Sequence, residues 1–391
     1  MRRLPLLLVS LAHFCVDSYA TMLAPVLPLV IDRLGLSLAS AGILGTIVSA
    51  CNLSQPLLGI WADRMRRRWL VVGGLGLAAV FTPLMGIAPT YYTLVAALTI
   101  GGFGVAAFHP QVFSLAGELS GDRRAFGIAL FIFGGTMGLG VTPLWMPYYA
   151  EHIGLDLLPL VTIPGILFLL AVWRWIPLDN PHLSNGAAAV SLSGLGPAAG
   201  GLAIITAVVV LRSVTGLGFG FFLAVLSKEQ GMGTAAIGIP LAIYNISGVV
   251  GALLFGYLAD QVKPKPLVWG SLAMSAPALY AFLHTDGSMS YVALAIGGGL
   301  LLSSNSILVA LAQDLAPKQS GLASSLPLGF SWGLASLALG PIGWFADRIG
   351  IAETLSWLVL LPLVTAVVAL FLPPGGGRGG SRRVERVESE S

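Results

Sequence analysis

The sequence predicts an all-α integral membrane protein: twelve transmembrane helices in two parallel six-helix repeats. Three observations carry this. Charged residues make up 9% of the 391 positions, apolar types 56%, and mean hydropathy is +0.88, whereas a soluble domain is roughly 25% charged. Twelve windows each hold a mainly apolar run of about 20 residues, the length a span needs. The two halves of the chain also match one another at a near-constant offset.

The expected spans are 6–31, 40–62, 69–88, 92–118, 125–148 and 157–176, then 201–225, 234–259, 266–283, 289–315, 321–345 and 353–372. The opening MRRLPLLLVSLA has the basic-then-apolar order of a signal peptide. However, the apolar run continues past His13 and Asp17 to Ile31 without a small-residue cleavage site, so a retained first helix is expected. Cys15 and Cys51 fall inside spans and read as small packing residues, not a disulfide framework. The stretch PLDNPHLSNGAAAVSLSGLGP, 177–197, is polar and carries Gly, Ser and Pro, as a linker does. The expected organisation is an N-terminal bundle over 1–176, a cytoplasmic linker over 177–200, a C-terminal bundle over 201–372 and a disordered cytoplasmic tail over 373–391.

Lys and Arg set the orientation. With a cytoplasmic N-terminus, 16 of them fall inside and only Arg33, Lys228 and Arg348 outside, while Arg212 lies within a span. This places both termini in the cytoplasm and the chain in a plasma (inner) membrane. The net charge of +3 then reflects topology, not nucleic-acid binding.

At an offset of 196 or 197, GIWADR (59–64) meets GYLADQ (256–261), AEHIGL (150–155) meets ADRIGI (346–351), and SLAGELS (114–120) falls on ALAQDLA (310–316). Six helices return the chain to the side it started from, so the repeats run parallel. Two such repeats around a central cavity form a transporter architecture, with the site at the midplane.

An ionisable side chain in a span costs at least about 2.5–3.5 kcal/mol and is a functional candidate by default. Four stand out: His13 and Asp17 in the first span, His109 in the fourth and Arg212 in the seventh. At 1.5 Å per residue they reach about 10, 16, 13 and 16 Å from the cytoplasmic ends, one layer just inside the midplane. His13 and Asp17, four residues apart, share a helix face and can pair. Arg212 keeps its charge, whereas histidine and carboxylate can change theirs, which suits competition between a proton and an anionic or polar substrate. Helix packing alone is the competing reading for each.

Pro110 follows His109 directly. Its missing N–H frees the Ala106 carbonyl, so a kink is expected there, presenting His109 to the cavity. His109 aligns with Asn305 of the second repeat. Further polar candidates for substrate contact are Asn52, Gln55, Tyr244, Asn245, Ser303 and Ser304, for which interhelical hydrogen bonding is the alternative.

At the cytoplasmic edge, GIWADRMRRR (59–68) combines Gly59, which permits close helix approach, with Asp63, Arg64 and Arg67. Glu118 and Asp314 occupy matching ends of the fourth and tenth spans, and Arg124 follows the fourth. Pairs among these groups can lock one conformation and break in another, as gating requires; positive-inside anchoring is the alternative.

GIWADRMRRR resembles motif A of the major facilitator superfamily, with Arg66 where the second glycine usually stands. The second-half copy GYLADQVKPK lacks the arginine after Asp260. GGTMGLGVTP (134–143) resembles the glycine-rich motif of superfamily exporters: Gly134, Gly135, Gly138, Gly140 and Pro143 match in type, and Thr142-Pro143 replaces Gly-Pro. GGFGVAAFHP, DRRAFGIALFIFGGTMG, LAHFCVD and an arginine in the seventh span together resemble the fosmidomycin-resistance group of proton-driven drug exporters, over most of the twelve spans. The resemblance implies efflux in exchange for protons, with His13, Asp17, His109, Pro110 and Arg212 on functional positions. It also implies an anionic phosphonate that Arg212 and a protonated histidine can hold.

The leading expectation is therefore a proton-coupled exporter of a small polar or anionic compound, monomeric, in a lipid bilayer, with protons and a small molecule as partners and no cofactor. The alternative is a proton-coupled importer or uniporter of an organic acid, sugar or metal ion. His13, Asp17 and His109 form a three-ligand set for the last, but Arg212 in the same layer opposes a cation. A metal-dependent membrane enzyme lacks an HExxH or nucleophile motif, and a sensor lacks a signalling domain.

Overall fold

A computed structural model describes residues 2–55, 58, 67–121, 124–176, 196–259, 261–316, 323 and 325–374. In chain order the main helices are α1 (Arg3–Ala20), α2 (Leu23–Leu34), α3 (Leu38–Ala50), α4 (Arg67–Phe81), α5 (Tyr91–Ser120), α6 (Arg124–Tyr149), α7 (Thr162–Trp175) and α8 (Ala199–Glu229). There follow α9 (Ile239–Ala259), α10 (Pro264–His284), α11 (Ser288–Leu315), α12 (Ser331–Ser336), α13 (Leu339–Ile349), α14 (Ile351–Leu358) and α15 (Leu361–Ala369).

Nine helical stretches among the described residues are long and apolar enough to cross a membrane, and one of them, Gly127–Trp175, holds the fifth and sixth expected spans. Of the second expected span, the described residues include the apolar helix Leu38–Ser54, α3 continued by a 3-10 turn. The eleventh is broken into a π-turn at Leu326–Phe330, α12 and α13. All twelve expected spans are thus accounted for.

Three of the breaks fall just ahead of a proline. A proline at position i offers no N–H to the carbonyl at i−4, and its ring crowds that carbonyl. The first span breaks at Thr21–Met22, four residues before Pro25; the eleventh breaks at 337–338, before Pro341; the twelfth breaks at 359–360, before Pro362. At the first break the Asp17 carbonyl accepts both the Thr21 N–H at 3.2 Å and the Thr21 Oγ1–H at 2.8 Å. The kink expected at Pro110 does not interrupt α5, which is helical from Tyr91 to Ser120 behind a capping box of Thr90 and Thr93.

The chain divides into two compact units, Met1–Ala188 with Gly220–Ala242 and Ser336–Ile351, and Ala189–Phe219 with Ile243–Ala335 and Ala352–Ser391. In the first, α1 packs on α6, α4 on α5 and α3 on α13; in the second, α10 packs on α11. Small residues make these approaches possible, as lipid supplies no hydrophobic drive between helices. A Cβ on Gly134 would strike the Ser10 carbonyl, and one on Gly74 the Gly104 carbonyl.

Candidate functional site

In the first unit, three ionisable side chains from two helices meet. α1 carries His13 and Asp17 one turn apart, and α5 carries His109. His13 Nε2 lies 3.2 Å from Asp17 Oδ2, and His109 Nε2 lies 3.0 Å from Asp17 Oδ1, so one carboxylate is gripped at both oxygens. His13 and Asp17 are each 8% exposed.

The far side of each ring is tied to backbone. His13 Nδ1–H donates to the Phe131 carbonyl at 2.9 Å, and His109 Nδ1–H donates to the Val105 carbonyl at 2.8 Å. A carbonyl only accepts, so both Nδ1 atoms carry hydrogen. A neutral imidazole of that tautomer has a bare lone pair at Nε2, which would oppose the carboxylate's own lone pairs. The His109 Nε2–Asp17 Oδ1 hydrogen bond therefore needs a proton, on the nitrogen or on the oxygen, while His13 Nε2 stands at ion-pair distance from Oδ2.

The ring of His13 stacks on Phe131 at 4.1 Å between centroids, with 16° between planes, and meets His109 edge-on at 5.2 Å. α6 supplies the floor. A Cβ on Gly135 would collide with the His13 ring and the Asp17 carboxylate, and one on Gly138 with the Phe14 carbonyl. Sequence reasoning noted these glycines as a motif without linking them to the triad, and it missed Phe131 and Val105, whose part is played by main-chain carbonyls. The Ala106 carbonyl freed by Pro110 is not the one that His109 engages.

The second unit holds a different arrangement. Arg212 on α8 is fully buried. Its Nη2 makes two long hydrogen bonds, 3.3 Å to Ser213 Oγ and 3.4 Å to Asn305 Oδ1 on α11, while Nε and Nη1 have no partner among the described residues. The hydroxyls of Thr215 and Ser304 are likewise buried without a partner among the described residues. Tyr244 on α9 stacks on Phe219 at 6.2 Å and donates to the Gly216 carbonyl at 3.4 Å. Asn305, the repeat mate of His109, thus takes part in holding a cation.

Other expected contacts are less open to a ligand. Gln55 donates to Asn52 Oδ1 at 2.9 Å, so these two satisfy each other, and Ser303 donates to the Leu300 carbonyl at 2.7 Å. Asn245, half-buried, and Glu118, exposed, are both engaged, while Asp314 is exposed at the end of α11. Gly59, Asp63 and Arg64 lie outside the described residues, as do the side chains of Arg67, Pro110 and Arg124.

The helical body is matched by known proteins. Residues 9–336 fit the model of the Major Facilitator Superfamily. The chain is 23% identical over 381 residues to a fosmidomycin resistance protein of Escherichia coli (strain K12), covering 93% of this chain and 91% of that one. It is 25% identical over 295 residues to a 3-(3-hydroxy-phenyl)propionate transporter of the same organism, covering 70% and 68%. Among solved structures, a D-xylose-proton symporter superposes with a TM-score of 0.79 at 15% identity, covering 95% of this chain and 98% of that one. These relatives are transporters, and no family of enzymes is indicated. The chain is a multi-pass membrane protein that belongs to the Major Facilitator Superfamily of secondary transporters of small molecules.

Proposed function

We propose that this transporter is a proton-coupled exporter of a small anionic compound, acting as a monomer by alternating access in an inner membrane with both termini cytoplasmic. The observation that carries the proposal is the Asp17 carboxylate, held at both oxygens by imidazoles whose remaining nitrogens are already committed to backbone carbonyls. Such a cluster changes charge by whole protons with little movement of its atoms. Protons arriving from the outer side occupy the Nε2–oxygen positions and leave to the cytoplasm in the other state of the cycle.

Arg212 supports the anionic substrate. A buried guanidinium with two unpartnered nitrogens leaves N–H donors in fork geometry for a carboxylate, phosphonate or phosphate. Tyr244, Asn245, Ser304 and Asn305 are the neighbours proposed to complete recognition, with Asn52 and Gln55 contributing from the first repeat. The likeness to a fosmidomycin resistance protein supports export. Gly59, Asp63, Arg64, Arg67, Glu118, Arg124 and Asp314 are proposed to gate the cytoplasmic side, and Pro110 to set the line of α5 around His109.

The test is flux in inverted vesicles under an imposed pH gradient, with a panel of phosphonates and organic carboxylates. Wild type accumulates an anionic substrate when the lumen is acid, whereas Asp17→Asn and His109→Gln do not respond to the gradient. Equal response of wild type and both variants overturns proton coupling by this triad. Movement of the anion in the opposite direction overturns export and leaves the coupling intact.

A further inference from the structure

Several contacts join segments of the two repeats within the first unit, at the end of α1–α3 and α6 remote from the Arg2–Leu119 backbone contact. Asp347 at the end of α13 accepts from the Leu38 N–H at 2.7 Å and the Ala39 N–H at 2.9 Å. Ser37 Oγ takes the Ser40 N–H, so the first three donors of α3 are all satisfied, two of them by an acid of the other repeat. Glu151, just beyond α6, accepts from the Ala235 N–H in the turn that opens α9. A Cβ on Gly42 would strike the Leu339 carbonyl, and a Cβ on Gly238 would strike the Pro143 carbonyl. Asp32 pairs with Lys228.

These positions obey a single rule. Adding the repeat offset of 196 to Ala39, Gly42, Pro143 and Glu151 gives Ala235, Gly238, Leu339 and Asp347. The contact of Asp347 with Ala39 is therefore the repeat mate of the contact of Glu151 with Ala235. The seating of Gly42 against Leu339 is likewise the mate of Gly238 against Pro143. Asp32 and Lys228 are mates of each other, as a pair lying on the axis relating the repeats must be. Chance packing does not reproduce one offset in three independent contacts.

The chemistry is that of a releasable cap. An acid at a helix N-terminus is stabilised by the free N–H groups and the dipole. The glycines bring backbone against backbone with no interlocking side chains to withdraw. Asp347 is not neutralised by its neighbour, since the Arg348 guanidinium lies over the Trp344 ring, 3.2 Å from its centroid. The sequence around it, GWFADR (343–348), also repeats the G-x-x-A-D-R of GIWADR (59–64) at the opposite end of the span to which α3 belongs.

We infer that this face of the transporter is closed by a duplicated latch, in which Asp347 holds the first turn of α3 and Glu151 the 3-10 turn that leads into α9, each acid acting on the other repeat. Opening that face requires both to let go. The inference needs only alternating access and is independent of which solute or ion moves. Its test places nitroxide labels on cysteines replacing Leu36 and Ile349, and separately Met232 and His152, with Cys15 and Cys51 changed to serine. Double electron–electron resonance distances are then compared among wild type, Asp347→Asn, Asp347→Ala, Glu151→Ala and the double alanine variant. Loss of one cap shifts the closed-to-open ratio by about 2- to 30-fold, the equivalent of a helix cap, and loss of both multiplies the two shifts. Asp347→Asn keeps an acceptor and falls between wild type and Asp347→Ala. A double variant that elutes as wild type on size exclusion and keeps the wild-type distances overturns the latch. Should the double variant not fold, unchanged distances in both single alanine variants do the same.

Discussion

The two buried charged clusters differ in how their hydrogen bonds close. Around Asp17 every strong acceptor and donor finds a partner inside the first unit, so the cluster is complete except for the number of protons it holds. Around Arg212 two nitrogens and two hydroxyls, of Thr215 and Ser304, find none among the described residues. A group that is internally paired is suited to exchanging protons with little rearrangement. A buried cation that is not paired needs a counter-charge from outside the chain, since an uncompensated buried charge is expensive. One cluster is built to titrate and the other to receive.

Substitutions can break this contrast, and the largest effect belongs to Asp17→Asn. It removes the charge at which both imidazoles converge and is expected to abolish gradient-driven uptake into inverted vesicles while facilitated exchange of the anion persists. Next, Arg212→Gln is expected to raise the half-saturating concentration of an anionic substrate about 10- to 100-fold, the worth of hydrogen bonds to a charged group. Arg212→Met should leave thermal stability unchanged or raise it by about 1–4 kcal/mol, because it replaces an unsatisfied buried charge by an apolar side chain. A strong loss of stability in Arg212→Met would mean that the guanidinium is structural.

Gly135→Ala comes third. Its methyl group meets the His13 ring and the Asp17 carboxylate, which should cost about 1–3 kcal/mol and weaken the response to the pH gradient. Gly220→Ala is the control, since a methyl group there meets open space. The smallest effect is expected for Asn52→Ala, which removes the oxygen that accepts from Gln55 and should lower thermal stability by about 1 kcal/mol.

The fold was largely legible because the bilayer imposes it. With no water to satisfy a bare backbone, apolar length alone marks the spans. The meeting of His13 with Asp17 was legible from their spacing of four, and a role for His109 from its cost in a span. The short reach of His109 to Asp17 was not, because it depends on how closely α5 approaches α1. The carbonyls of Phe131 and Val105 had no signal at all, since every residue carries one. The helix breaks were written in Pro25, Pro341 and Pro362, yet each becomes visible only by counting back four residues. Pro110 shows the limit of that rule, for α5 runs on through it. The alignment of AEHIGL with ADRIGI had marked Glu151 and Asp347 as equivalents, but only the folded chain shows what each touches.

The offset that relates those two acids has a consequence for how the molecule is put together. Each repeat donates one carboxylate and lends one helix start, so neither repeat possesses a whole latch of its own. The arrangement is a reciprocal handshake, and it works as an address label by which one half recognises the other. If the chain were cut within 177–197 and its halves produced as separate polypeptides, reassembly should be lost in the Glu151→Ala, Asp347→Ala pair. It should return in part when either acid is restored.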